Sequence, residues 1–169
     1  MAGVSPTPDP PSGIVLLCYD GSGEAEAAIR RAAELLAGRE ALVLVVWTPA
    51  VDLRSLDPVS DAVGRASGLY EDWDRIARDV AARHAEAGCA IAVAAGFRAR
   101  PLTASGKPGP AILRAGDEHD AGVIVLGAGG PAGGIGGLIG GGVGARVAQR
   151  ARRPVLIVPS EDAPPAAEA

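Results

Sequence analysis

Aromatic side chains are nearly missing from this chain: one Phe, two Tyr and two Trp stand among 169 residues. Its core must therefore be assembled from Val, Leu, Ile and Ala, and apolar residues are plentiful enough, at 48%, for one modest domain. Cysteine is almost as scarce. Cys18 lies in an apolar run and Cys89 in a helical one. With no CxxC pair and no clustered histidine, they read as two buried, reduced thiols rather than a disulfide framework or a metal site.

Long apolar stretches are lacking too. No run approaches the ~18 uninterrupted apolar residues of a membrane span. The opening MAGVSPTPDPPSG has neither the basic nor the apolar part of a signal segment, so the expected location is cytoplasmic. Nor is there an excess of positive charge. Of the twenty acidic residues, Asp9, Glu161, Asp162 and Glu168 lie outside residues 13–158, which leaves sixteen acidic against sixteen basic. Such a balance has no basic stripe for nucleic acid and no polybasic patch for a membrane.

Catalytic groupings are equally sparse. His84 stands in a long helical pattern and His119 in DEHD; each reads as a surface or packing histidine, and no Ser/His/Asp or Cys/His set emerges. Asp117, Glu118 and Asp120 read as a solvated helix end. Arg146, Arg150, Arg152 and Arg153 read as cations that complement a helix C-terminus. No enzyme is expected.

What the chain has in abundance is glycine. Residues 127–144, GAGGPAGGIGGLIGGGVG, hold eleven glycines in eighteen positions, between the apolar run Val123 to Gly127 and the helical run Ala145 to Arg153. A strand, a glycine-rich loop and a helix start form a candidate anion cradle. Glycine lets backbone N–H groups approach a ligand, and the helix N-terminus adds free donors and a favourable dipole. Other phosphate motifs fail: the Walker pattern GxxxxGK[ST] is absent, and the G-x-G-x-x-A match at Gly127 to Ala132 lacks the acidic residue a dinucleotide site needs about 20 positions later.

Around the loop, periodicities alternate. GIVLLCY (Gly13 to Tyr19) predicts a strand, followed by a helix with Ala25, Ala28, Ile29, Ala32, Leu35 and Leu36 on one face and a stop at Gly38. ALVLVVW (Ala41 to Trp47) predicts a second strand. Strands apolar on both faces, separated by an amphipathic helix, mean a parallel sheet covered on both sides. Residues 48–68 read as irregular. A long amphipathic helix is predicted from about Leu69 to Ala95, marked by Trp73, Ile76, Val80, Ala87, Ile91 and Ala94, with Gly96 as its C-cap. The third strand, about Arg98 to Ala104, carries Pro101 and so belongs at a sheet edge. A short helix through Ala111, Ile112, Ala115 and His119, a fourth strand at Gly122 to Leu126 and a fifth at Pro154 to Val158 complete a three-layer α/β/α sandwich. Residues 1–12 and the acidic tail 160–169, rich in Pro and small residues, are expected to be disordered, leaving 13–159 as the domain.

The blocks IVLLCYDGSGEAEAAIRRAAEL, ALVLVVWTP, AILRAGDEHDAGVIVLGAGG and GGGVGARVAQRARRPVLIVPS together resemble the universal stress protein family. The resemblance spans nearly all of residues 13–159. It implies a five-stranded, doubly wound parallel sheet of order 3-2-1-4-5, in agreement with the edge position that Pro101 requires. Nucleotide-binding members of that family carry a loop of the form G-x2-G-x9-G-[ST], with a second hydroxyl residue two positions later. Gly127 and Gly130 match its first glycines. Gly140 or Gly141 matches the third, while Gly141 or Gly142, and later Gly144, stand where the hydroxyl residues would be.

By the same resemblance, Asp20 faces the adenosine moiety and Trp47 lies near the base. The further nucleotide-binding residues that the resemblance implies are Leu126, Gly127, Gly129, Gly130, Gly140, Gly141, Gly142, Val143 and Gly144. For Asp20 the alternative is a turn or N-cap residue; for Trp47 it is a core or pocket-filling aromatic. The implied ligand is ATP, with Mg2+ only alongside it. The competing expectation is a nucleotide-free homodimer that pairs through the last strand, Pro154 to Val158. A nucleotide hydrolase is a third reading.

Overall fold

The computed structural model describes residues 13–50, 68–128 and 142–159. Their elements run β1 (Ile14–Cys18), α1 (Gly23–Leu36), β2 (Glu40–Trp47), α2 (Leu69–Ala94), β3 (Arg98–Ser105), α3 (Pro108–Glu118), β4 (Ala121–Gly127), α4 (Val143–Arg150) and β5 (Val155–Val158). The strands form one five-stranded sheet of order β3-β2-β1-β4-β5, parallel at every pairing. This is the expected three-layer α/β/α sandwich. The expected disorder at 1–12 and 160–169, and most of the irregular stretch 48–68, lie outside the described residues.

Alternation along the strands separates two cores. Val15 and Leu17 of β1, Val43 and Val45 of β2 and Val123 and Val125 of β4 face α1 and α2, meeting Ala28, Ile29, Ala32, Ala81 and Ala85. Leu16, Leu42, Leu44, Ile124 and Leu126 point the other way, to Ile112 and Ala115 of α3 and Val147 of α4. Burial on both faces is why these strands carry no polar alternation.

The two sheet edges differ. At β3, Pro101 removes an N–H donor, Arg98 and Arg100 are exposed, and Arg100 reaches Glu40 at 3.7 Å. Proline and charge blunt that edge. β5 is the opposite edge, and its apolar Val155, Leu156 and Ile157 are only half-buried.

Helix ends follow the glycine signals. Gly38 and Gly96 take positive φ, 81° and 101°, just past the ends of α1 and α2, and the Gly38 N–H donates to the Gly96 carbonyl at 2.7 Å. This couples the two helix exits on one side of the sheet.

Two readings need correction. The face of α2 turned to the sheet is Ala81, Ala85, Gly88 and Ala92, whereas Trp73, Ile76 and Val80, which mark the sequence pattern, are exposed. Small side chains let the helix axis approach the sheet: a Cβ on Gly88 would lie 2.6 Å from Tyr19 Cδ1 and 2.9 Å from Val43 Cγ1. Arg153 is not a cation at a helix C-terminus either. α4 ends at Arg150, and the largely buried Arg153 donates to the Ala121 carbonyl and to Asp117 Oδ1 at 2.7 Å, with Asp120 at 3.9 Å. Part of the acidic cluster is therefore tied to the entrance of β5. Arg150, in the last turn of α4, does occupy the predicted dipole-complementing place.

Candidate functional site

Chain order runs outward from β1 through β2 to β3, then restarts on β1's other side with β4 and β5. The reversal point lies between the C-terminal ends of β1 and β4, where open α/β sheets form a ligand crevice. Three segments meet at this end: the turn after β1, Gly127 at the end of β4, and the start of α4.

The turn after β1 is self-contained. Asp20 Oδ1 accepts from the Ser22 N–H at 3.0 Å, and Ser22 Oγ accepts from the Ala25 N–H at 3.1 Å. Asp20 is thus the turn residue and Ser22 the N-cap of α1. The D-G-S at a strand's end is the local signal for this arrangement. Glu24 and Glu26 occupy the first turn of α1, so its positive dipole end is already matched by carboxylates.

The start of α4 is different. Gly142 occupies the N-cap without a side-chain cap bond, and no acidic residue stands in the first turn. The Arg146 N–H closes the first helical bond onto the Gly142 carbonyl at 3.1 Å. The amides of Val143, Gly144 and Ala145, in the first turn, have no carbonyl partner within the helix. Of the two helix starts that flank the reversal point, α4 is the one suited to an anion.

Gly127 has a packing role as well. A Cβ there would sit 3.1 Å from the Glu24 carbonyl oxygen and 3.6 Å from the Ala25 nitrogen. Glycine lets the first turn of α1 rest against the end of β4. The loop that follows is tethered at its start, because the Ala128 N–H donates to the Val158 carbonyl at 2.7 Å. The Leu126 side chain lies in the core facing α3 and α4, so only its backbone is available to a ligand. Gly129, Gly130, Gly140 and Gly141 lie outside the described residues.

Trp47 ends β2, half-buried and packed against the core shared with α1 and α2. The Arg78 guanidinium lies 5.4 Å from its ring centroid, within cation–π range. The Asp74 carboxylate receives the Ala50 N–H at 2.7 Å and the Trp73 indole N–H donates to the Thr48 carbonyl at 3.4 Å. Together these contacts anchor the N-terminal half of α2 to the exit of β2. Nothing in the spacing of Trp47 and Arg78 announces their contact; it arises because α2 crosses the sheet's end.

Of the remaining titratable groups, Cys18 is pushed up to about 12, first by burial and then by the nearby charge of Asp20. Burial raises Cys89 as well. Burial likewise raises Tyr19, with the nearby carboxylates of Glu26 and Asp20 adding to the shift. Both thiols are free. His84 is exposed, its ring 3.4 Å from where a Gly21 Cβ would be. Among the described residues no group of three or more His, Cys, Asp or Glu could hold a metal ion. No helix among them is long and apolar enough to cross a membrane.

Comparison with known proteins gives a consistent picture. The model of the universal stress protein family matches residues 12–159. Among curated proteins none matches the chain. Similar solved structures include a universal stress protein in complex with cAMP, at 24% identity and TM-score 0.59, over 86% of this chain and 95% of that one. A universal stress protein from Archaeoglobus fulgidus in complex with dAMP aligns at 22% identity and TM-score 0.58, over 86% and 96%. Another from Archaeoglobus fulgidus aligns at 27% and 0.56, over 86% and 97%.

Proposed function

The chain belongs to the universal stress protein family, and from that premise we propose that it is a regulatory stress-response module, not a dedicated catalyst, which binds an adenine nucleotide. The observation that carries this reading is the open N-terminus of α4, with no side-chain cap and no acidic residue in its first turn, beside Gly127 at the sheet's reversal point. The amides of Val143, Gly144 and Ala145 would take the phosphates and Asp20 would face the ribose. Two solved relatives contain cAMP and dAMP, which supports the adenine class of ligand. ATP with Mg2+ is the form we assign, in a cytoplasmic protein.

Glycine at 142 and 144 leaves this site without hydroxyl ligands. A hydrogen bond to a charged group is worth about 1.5–3 kcal/mol, so two missing ones make the affinity modest. Thermal unfolding with and without millimolar ATP and Mg2+, together with mass spectrometry of the purified protein, tests the reading. A concentration-dependent rise in Tm is expected. No shift and no co-purified nucleotide would refute it.

A second reading is favoured by Trp47. Its ring carries the Arg78 guanidinium on one face, so an adenine stacking there would have to displace that cation. On this reading the protein acts without nucleotide, as a homodimer. β5 is the edge suited to self-pairing, because it is apolar and half-exposed while β3 is blunted by Pro101 and arginines.

A further inference from the structure

The exit of β2 is clamped by the N-terminal half of α2. Asp74 holds the Ala50 N–H and Trp73 the Thr48 carbonyl, while the Arg78 guanidinium lies over the Trp47 ring, 5.4 Å from its centroid. Asp74 would be the ordinary i,i+4 partner of Arg78, but its carboxylate is already committed to Ala50 at 2.7 Å. No carboxylate among the described residues pairs with Arg78, so the indole ring is what holds this exposed cation.

That ring stands at the crevice end of the sheet. The Tyr19 N–H donates to the Leu44 carbonyl at 2.9 Å, just where β1 gives way to the turn bearing Asp20, and Trp47 lies further along the same neighbouring strand. Of the two rings at these strand ends, Tyr19 is 7% exposed and packed in the core. Trp47 is half-buried and so offers the stacking surface beside the Asp20 turn.

We propose that Arg78 is a built-in competitor for the base of the nucleotide: its guanidinium covers the Trp47 face on which an adenine would stack, and the nucleotide binds by displacing it. This rests on the adenine-nucleotide reading above and adds to it a residue that sets the affinity. A base stacked on an aromatic ring is worth about five- to 150-fold in affinity. An exposed cation–π contact is worth about two- to fivefold. The base therefore wins the ring, and Arg78 weakens binding without abolishing it. Removing a cation ordinarily weakens the binding of an anion, so a gain in ATP affinity on losing Arg78 would have no general electrostatic explanation.

The test compares the natural chain with full-length Arg78→Ala and Arg78→Lys by calorimetric titration with ATP and Mg2+, and with tripolyphosphate, which has charge but no base. Position 78 is exposed on α2, and circular dichroism checks that each variant is folded. Arg78→Ala should bind ATP about two- to fivefold more tightly than the natural chain, and Arg78→Lys, which keeps a cation, should stay nearer the natural value. Tripolyphosphate should bind Arg78→Ala no more tightly than the natural chain. In a Trp73→Phe background, where Trp47 is the only indole, ATP but not tripolyphosphate should quench the fluorescence.

ATP affinity that is unchanged or weaker in Arg78→Ala would overturn the competitor role and leave the nucleotide reading standing. Equal tightening toward tripolyphosphate would also overturn it, because the effect would not then lie at the ring. Failure of every chain to bind ATP would overturn the nucleotide reading and the competitor with it.

Discussion

Gly88→Ala separates the packing of α2 from its helix propensity. In a helix interior, alanine is better than glycine by about 1 kcal/mol, so propensity alone predicts a more stable protein. The structure predicts the reverse. The new Cβ would meet Tyr19 Cδ1 at 2.6 Å, Tyr19 Cγ at 2.9 Å and Val43 Cγ1 at 2.9 Å. Neither neighbour can give way easily: Tyr19 is only 7% exposed and Val43 fully buried. Overpacking of this kind costs typically 1–3 kcal/mol, which offsets the propensity gain and leaves a net loss of up to about 2 kcal/mol. Urea unfolding followed by far-UV circular dichroism reads the change as a lowered midpoint. Ile76→Ala in the same helix is the control. Ile76 is exposed, and surface substitutions stay within about 0.5 kcal/mol. A stabilised Gly88→Ala, or an Ile76→Ala as damaging as a core deletion, would refute the placement of the Ala81, Ala85, Gly88, Ala92 face on the sheet.

Three further outcomes are expected. In Gly142→Ser/Gly144→Ser, the backbone at Gly142, φ −55° and ψ 173°, is one that any residue adopts, and a Gly144 Cβ would be 3.8 Å from Ile157 Cδ1. Calorimetric titration should show ATP binding about tenfold or more tighter than in the natural chain, each hydroxyl adding a bond to a charged group; unchanged affinity would deny that only side-chain ligands are missing. Arg153→Met should lower stability by about 1–3 kcal/mol in urea unfolding, mainly through the lost bond to the Ala121 carbonyl. The ion pair adds little, because Asp117 is more than half exposed; a neutral substitution would contradict that anchoring role. Cys18 is raised from 9.0 to about 12 in the folded protein, so its contribution to stability is complete below pH 9 and is lost as pH rises toward 12. Cys18→Ser should therefore flatten the alkaline limb of the stability profile, and rapid alkylation of Cys18 in folded protein near neutral pH would contradict the raised thiol.

Continuous apolar runs at residues 14–18, 41–47 and 122–126 were legible as buried parallel strands because each must satisfy a core on both faces. Pro101 located the edge strand by its missing donor. The orientation of α2 was not legible. That helix carries two stripes at helical spacing, one of large side chains and one of Ala and Gly, and periodicity weights the larger. The smaller stripe is buried because Tyr19 and Val43 already fill the space above the strands. At the candidate site, the glycine run marked the strand-loop-helix order but hid a second cause, since Gly127 is also required by the backbone of Glu24. Arg78 over Trp47 and Arg153 on Asp117 were invisible for a common reason: long side chains reach across elements whose spacing in the chain carries no trace of the contact.

The central claim is that the open first turn of α4 is the anion-binding end of the crevice. Backbone amide resonances of the 15N-labelled natural chain, followed during titration with ATP and Mg2+, test it most directly. Progressive shifts centred on Val143, Gly144 and Ala145, with smaller ones at Asp20 and Ala128, are the predicted result. Saturating ATP that leaves those amides unmoved, or shifts that gather on another surface, would contradict it.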